Sequence, residues 1–387
     1  MDVLISGASI AGPALAYWLG RFGMRPTIVE IAPALRTGGN AVDFRGPLHM
    51  GLLERMGVLG ELRAVQTGGT AMRFVDATGA TLMEWPAGLA GGDLEVHRGD
   101  LARILCAAGA DHTDYLFGDS IAALAEHPGG VDVTFASGLE RTFDLVVGAD
   151  GVHSRVRRLV FGPEERFVRH LGYYVAGWTV PATEPDLRLY NEPGRMISVG
   201  GDGAFAAFAS PRIDYDRHDL AEQRGVLRDT YEGMGWRAAE LLAEMGDDLY
   251  FDQICRVDAP EWTRGRVALV GDAASGATIG GQGNGTALVC AYVLAAELAT
   301  AGGDHRAAFP AYEKRIGRFA RGTQKGGDTT GRFLAPRTAR GIRLRNYLNN
   351  RKWFLDLTFA IAKERATNLE LTAEPRPLPG SGRRSGR

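Results

Sequence analysis

Cysteine is nearly absent from these 387 residues: Cys106, Cys255 and Cys290 stand far apart, with no C-x-x-C spacing. That excludes a disulfide framework and argues against a cysteine-held metal, so each thiol is expected to be a small buried apolar group. Lysine is scarcer relative to its class, with four positions among 44 basic residues. The net charge of −2 offers no field for nucleic acid or an anionic membrane. No uncharged run reaches about 18 apolar residues, so no bilayer-spanning helix is expected. The first strand-like run begins almost at Met1, which predicts no secretion leader and a reducing, cytoplasmic setting. No internal repeat is visible. A hydrophobic content of 45% with 23% charged residues is that of a globular protein, long enough for two associated domains.

What is present is a trio of glycine motifs in fixed order. Gly7-Ala8-Ser9-Ile10-Ala11-Gly12 follows the apolar run at 2–6. Such a strand, tight turn and helix start place unpaired amides opposite a diphosphate, and Gly12 lets helix and strand pack closely. A second strand, Thr27 to Glu30, ends in an acid 23 positions after Gly7, suited to ribose hydroxyls. The middle glycine of the pattern is Ser9, whose hydroxyl is able to donate to a phosphate. Gly148-Ala149-Asp150-Gly151 follows a run, Thr142 to Val147, read as one strand, and a basic helix is expected from Ser154. By itself it is a strand end with an Asx-type turn. Gly271-Asp272-Ala273-Ala274 follows a third strand at 266–270, with Gly280 to Gly285 opening an apolar helix. Asp272 falls where open α/β sheets bind ligands, and that helix start favours negative charge beside it.

The ordered set resembles the single-component FAD-dependent aromatic hydroxylases typified by para-hydroxybenzoate hydroxylase. In size and motif order it is close to the tetracycline-inactivating and antibiotic-tailoring branches. The resemblance implies an α/β fold: a Rossmann-like FAD domain, an inserted antiparallel substrate sheet and C-terminal helices. It implies cofactor contacts from Gly7, Ser9, Ile10, Ala11, Gly12, Glu30, Arg36, Arg98, Asp150, Gly271, Asp272, Gly283 and Asn284. NADPH or NADH would reduce FAD, oxygen would add at flavin C4a, and the resulting hydroperoxide would hydroxylate an aromatic or polyketide-like molecule. Epoxidation, Baer–Villiger insertion, dehydrogenation or oxidation on the same scaffold, and ligand binding without turnover, stay open as alternatives. Relatives carry His or Tyr and prolines after the third motif; Ser275 to Ile279 stand here instead, which predicts a smaller and more mobile loop beside the flavin.

The motifs divide the chain. An FAD domain is expected from 1–69, 95–165 and 256–305, and a substrate domain from 70–94 and 166–255. A helical region follows at 306–371 and a flexible tail at 372–387. Strand-like runs at 173–180, 195–199 and 204–208 suit an antiparallel sheet. Tyr174, Trp178, Arg195, Met196, Phe205 and Phe208 are its candidate pocket residues: aromatic and apolar walls with one cation. Gly177-Trp178-Thr179-Val180-Pro181 faintly resembles a flavin halogenase signature, but Ala176 stands where its first tryptophan belongs. The chemistry resides in the cofactor, so no catalytic acid, base or nucleophile and no metal is assigned. Were a phenol to need deprotonation, His49, His97, His153 and His170 are the available bases. A monomer or homodimer is expected.

Overall fold

The structure is a computed structural model that describes residues 1–35, 41–86, 92–279, 282–324, 327–355, 369 and 374–378. Arg36, Gly280 and Gly281 lie outside the described residues. A six-stranded sheet forms the first layer, in the order Thr263–Arg264, Val267–Leu269, Leu145–Gly148, Asp2–Ser6, Arg25–Glu30, Asp114–Phe117. All its neighbours run parallel except the first pair. A parallel sheet is covered on both faces, which is why its strands read as unbroken apolar runs such as Val3-Leu4-Ile5, fully buried here. The helix Gly283–Thr300 is apolar all round and buried along almost its whole length. It packs on the helix Ala11–Arg21, with the Trp18 and Tyr292 rings edge-on at 4.9 Å.

The run 142–147 is not one strand. Glu140–Phe143 closes a three-stranded antiparallel sheet, and Leu145–Gly148 enters the parallel one. The corner is Asp144, whose amide donates to Asp2 O (2.9 Å) and whose carboxylate accepts the Asp2 amide (2.7 Å). Apolar residues on both sides of the corner hide it from any reading by periodicity.

The second large sheet is antiparallel but for one pair. The runs at 173–180, 195–199 and 204–208 merge into a hairpin of Val168–Glu192 and Arg195–Ala209. Tyr250–Val257 pairs on the other side, and Met72–Val75 with Thr81–Trp85 extends the sheet. Register shifts fall between Thr179 and Arg188, the stretch holding Pro181 and Pro185. Proline has no amide to give a ladder, so the strand bulges there. The helices Leu220–Tyr231 and Ala238–Ala243 cover one face, the back, and Leu334 and Ala335 pack on the front.

Arg345, on the helix Ala339–Asn349, fastens the C-terminal helices to this sheet. Its guanidinium lies 4.2 Å from the Phe74 ring and donates to Phe333 O (2.7 Å) and Asn191 Oδ1 (2.9 Å). Burial pushes its pKa down to about 10. Of the segment expected as a flexible tail, residues 374–378 are described. Glu374 pairs with Arg21 at 3.0 Å, and the Leu378 amide donates to Phe22 O at 2.9 Å while its side chain joins the main core. Prolines forbid a helix there but leave Leu378 free to dock in extended form.

Candidate cofactor and substrate site

The three motifs leave adjacent strands at the same edge of the parallel sheet. Ser6 pairs with Gly148, and Gly148 with Leu269. They then touch pairwise. A Cβ on Gly7 (φ +109°) would lie 2.6 Å from Ala149 O, and one on Gly271 3.0 Å from the Ala11 Cβ. Arg157 Nη1 donates to Ala273 O at 2.9 Å, closing the ring between second and third motifs. A Cβ on Gly12 would meet Gly7 O at 1.9 Å, so only glycine lets the first helix start this close to its strand.

The helix starts differ in what they leave open. Neither Ala11–Arg21 nor Gly283–Thr300 has a side-chain N-cap or an acid in its first turn. Their leading amides remain available to an anionic or carbonyl-bearing ligand. Arg155–Val160 is closed instead: Ser154 Oγ accepts the Arg157 amide, and Asp150 accepts the Arg155 (2.8 Å) and Val156 (3.0 Å) amides. Asp150 is thus occupied within the protein, and also takes the Ser154 and Ser6 hydroxyls. Burial pushes its pKa up against these bonds.

Glu30 sits at its strand end with Oε2 accepting the Ala8 amide (2.8 Å) and Oε1 the Ala32 amide (3.0 Å). Arg98 opens the helix Arg98–Ala108 and reaches Ser9 Oγ with Nη2 at 3.0 Å. Asp272 is recessed beside the start of the long helix, where a Cβ on Gly283 would come within 3.2 Å of its Oδ1. Burial raises its pKa, opposed only by the Arg98 charge; no donor among the described residues hydrogen-bonds its carboxylate. Asn284 lies in the first turn of that helix. Open helix starts, a glycine-only approach and an orphaned acid fit a flavin dinucleotide.

Three of the four histidines are engaged within the protein. His153 places Nδ1 2.9 Å from Glu164 and Nε2 3.2 Å from Asp252, joining the second motif to the substrate sheet. Hydrogen bonds to Asp252 and then Glu164 push its pKa up to about 9. His49 is buried, its Nδ1 accepting the Arg45 amide (3.3 Å), and burial lowers its pKa to about 4. Its ring fills the space beside Gly285, where a Cβ would lie 2.1 Å from Cε1. His170 Nε2 is 3.0 Å from Ser210 O, and His97 is an exposed N-cap.

The six candidate pocket residues do not share a wall. Strand alternation sends Tyr174, Trp178 and Phe208 to the back face. There Tyr174 Oη accepts the Ile213 amide (2.7 Å) and Trp178 Nε1 donates to Leu241 O (2.9 Å). Arg195 donates to Thr230 O (2.7 Å) at the end of a back-face helix and pairs with Glu192. Met196 and Phe205 face the front, with Tyr173, Phe74, Met83 and Phe333. Ile279, from the segment after the third motif, joins that front cluster. Sequence reasoning missed Ile279 and Phe333, which carry no signal beyond being apolar.

This architecture defines a flavoprotein: a dinucleotide cradle at one edge of a parallel sheet, with an antiparallel sheet set against its third motif. A family described as "FAD binding domain" matches residues 1–199, and the chain belongs to it. A flavin-dependent monooxygenase of Legionella longbeachae is 36% identical over 344 residues, spanning 84% of this chain and 88% of that protein. The crystal structure of tetracycline destructase Tet(51) matches with a TM-score of 0.84 at 32% identity, covering 96% of this chain and 99% of the other. That of Tet(55) matches at 0.82 and 35%, covering 96% and 98%. The protein is an FAD-dependent monooxygenase with the para-hydroxybenzoate hydroxylase fold. No described helix is long and apolar enough to cross a membrane.

Proposed function

We propose that this monooxygenase hydroxylates a planar aromatic or polyketide-like small molecule, using NADPH or NADH and O2, in antibiotic tailoring or inactivation. The observation that carries this reading is that Ile279, next to the third motif, packs against the same front cluster as Phe205 and Phe333. An apolar wall of rings beside the cofactor's end of the site suits a flat, weakly polar substrate. The likeness to tetracycline destructases supports the polycyclic class.

Bound FAD supplies activated oxygen; this chain's residues bind, orient and exclude water. Gly7, Ser9, Ile10, Ala11 and Gly12 would cradle the diphosphate, with Arg98 adding charge through Ser9. Glu30 would exchange its Ala8 bond for a ribose hydroxyl, and Asp272 would accept from the ribityl chain. Gly271, Gly283 and Asn284 would border the ring system, where the start of the long helix favours negative charge by about 0.3–2 kcal/mol. Asp150 would act by fixing the turn. The buried free thiols fit a reducing compartment.

Purified holoprotein is to be screened for NAD(P)H oxidation against tetracyclines, aromatic polyketides and simple phenols, then run under 18O2. Stimulation by a polycyclic compound and one labelled oxygen in its product are expected. Turnover that leaves every organic product unlabelled, with the label only in water or hydrogen peroxide, would overturn the hydroxylation reading.

A further inference from the structure

The segment leaving the third motif is stitched to the substrate sheet rather than loose. Thr278 donates its amide to Cys255 O (3.1 Å), and its Oγ1 accepts the Cys255 amide (3.2 Å) and donates to Gln253 O (2.9 Å). Ala277 forms a bridge with Arg256, and the Val257 amide donates to Gly276 O at 2.9 Å. Residues 276–278 therefore extend the ladder of Tyr250–Val257. A third element holds the pair together. Gln324, buried at the end of the helix His305–Gln324, donates through Nε2 to Val257 O (2.8 Å) and to Gly276 O (3.2 Å). A single amide group thus bridges loop and strand. Gly276 is held so tightly that a Cβ there would lie 2.7 Å from Asp272 O.

On one side of this stitch stands Asp272; on the other, Ile279 enters the front-face cluster. We propose that Thr278 and Gln324 are positioning residues. They hold the 276–279 segment in register with Tyr250–Val257, and so set the spacing between the cofactor acid Asp272 and the substrate wall at Ile279 and Phe205. This rests on the reading of the site given above. Neither residue reaches the reacting atoms; each acts through the loop.

The test uses the full chain, with and without FAD, as wild type, Thr278→Val, Thr278→Ser and Gln324→Leu. Hydrogen exchange of the peptide covering 272–279 is expected to speed up about 10-fold or more in Thr278→Val and Gln324→Leu and to stay near wild type in Thr278→Ser. The visible circular dichroism of bound FAD should change in the first two and recover in the serine variant. The rate of product formation should fall, on the scale of the ~100-fold that a 1 Å misplacement costs. Unchanged exchange and flavin dichroism in both disruptive variants would overturn the proposal. So would a serine variant as impaired as the valine one, which also decides the matter should valine prevent folding. A wild-type protein that fails to bind FAD would instead remove the cofactor reading itself.

Discussion

Ser9 Oγ lies 3.0 Å from Arg98 Nη2, tying the first glycine turn to a helix start 89 residues later. The serine that breaks the glycine pattern thereby holds a cation beside the turn proposed above to cradle the diphosphate. Replacing Arg98 with alanine should weaken FAD binding about 10- to 150-fold, the equivalent of a charge-assisted hydrogen bond of roughly 1.5–3 kcal/mol. Ser9→Gly should cost less, because the charge stays and only its anchor goes. Titration of apoprotein by flavin fluorescence quenching reads both.

The two recessed acids should part company on mutation. Asp272→Ala removes an acceptor that the protein leaves unpaired, so FAD affinity should drop by a similar factor with little change in unfolding midpoint. Asp150→Ala strands the Arg155 and Val156 amides, and should cost about 1–3 kcal/mol of stability even without flavin. Urea unfolding of the apoproteins separates the two effects.

Gly285 and His49 are fitted to each other. Gly285→Ala drives a methyl into the imidazole and should destabilise by about 1–3 kcal/mol. His49→Ala made together with it should recover part of that loss, so the pair should be non-additive in a double-mutant cycle.

Stability should peak near neutrality. His153 has its pKa raised to about 9 in the fold, from about 6.5 in the unfolded chain. Its contribution is complete below about pH 6.5 and is lost as pH rises through 9. His49, lowered to about 4, has the opposite sense: as pH falls below 6.5 the unfolded chain takes a proton that the folded one refuses. Denaturation midpoints from pH 4 to 10 should show both arms, and His153→Gln should flatten the alkaline one.

The faces of the substrate sheet give a paired prediction. Trp178→Ala, on the back, should cost about 3–5 kcal/mol of stability and leave the KM of any folded enzyme near wild type. Phe205→Ala, on the front, should raise KM with a smaller stability change. A Trp178 variant that folds normally but loses substrate affinity would reverse this assignment.

The cofactor half was legible because its signals are local. Gly7 and Gly12 sit where backbone approaches leave no room for a side chain. Glu30 ends a strand, and Asp272 follows shortly after one, each behind an apolar run that stands out. The substrate half was not, for a reason of parity. Residues 173–180 are apolar on both faces, so nothing in their order says whether Tyr173 or Tyr174 looks toward the cofactor. The covering helices Leu220–Tyr231 and Ala238–Ala243 decide it, and they lie far along the chain. The loop at 275–279 was read from its small residues as loose. Its partners, Cys255 and Gln324, are remote in sequence and carry no motif.

The pairing of Ser6 with Gly148, and of Gly148 with Leu269, has a consequence for how such proteins diverge. What must be preserved is the side-by-side seating of three strand ends; the stretches between them add further strands to the same sheet, Arg25–Glu30 and Asp114–Phe117, along with excursions into other layers. Those excursions can lengthen, shorten or be exchanged without disturbing the seats. Order along the chain is therefore expected to persist among relatives, while the intervals between motifs are free to vary. A search for distant kin should score the succession of the three turns and ignore the distances that separate them.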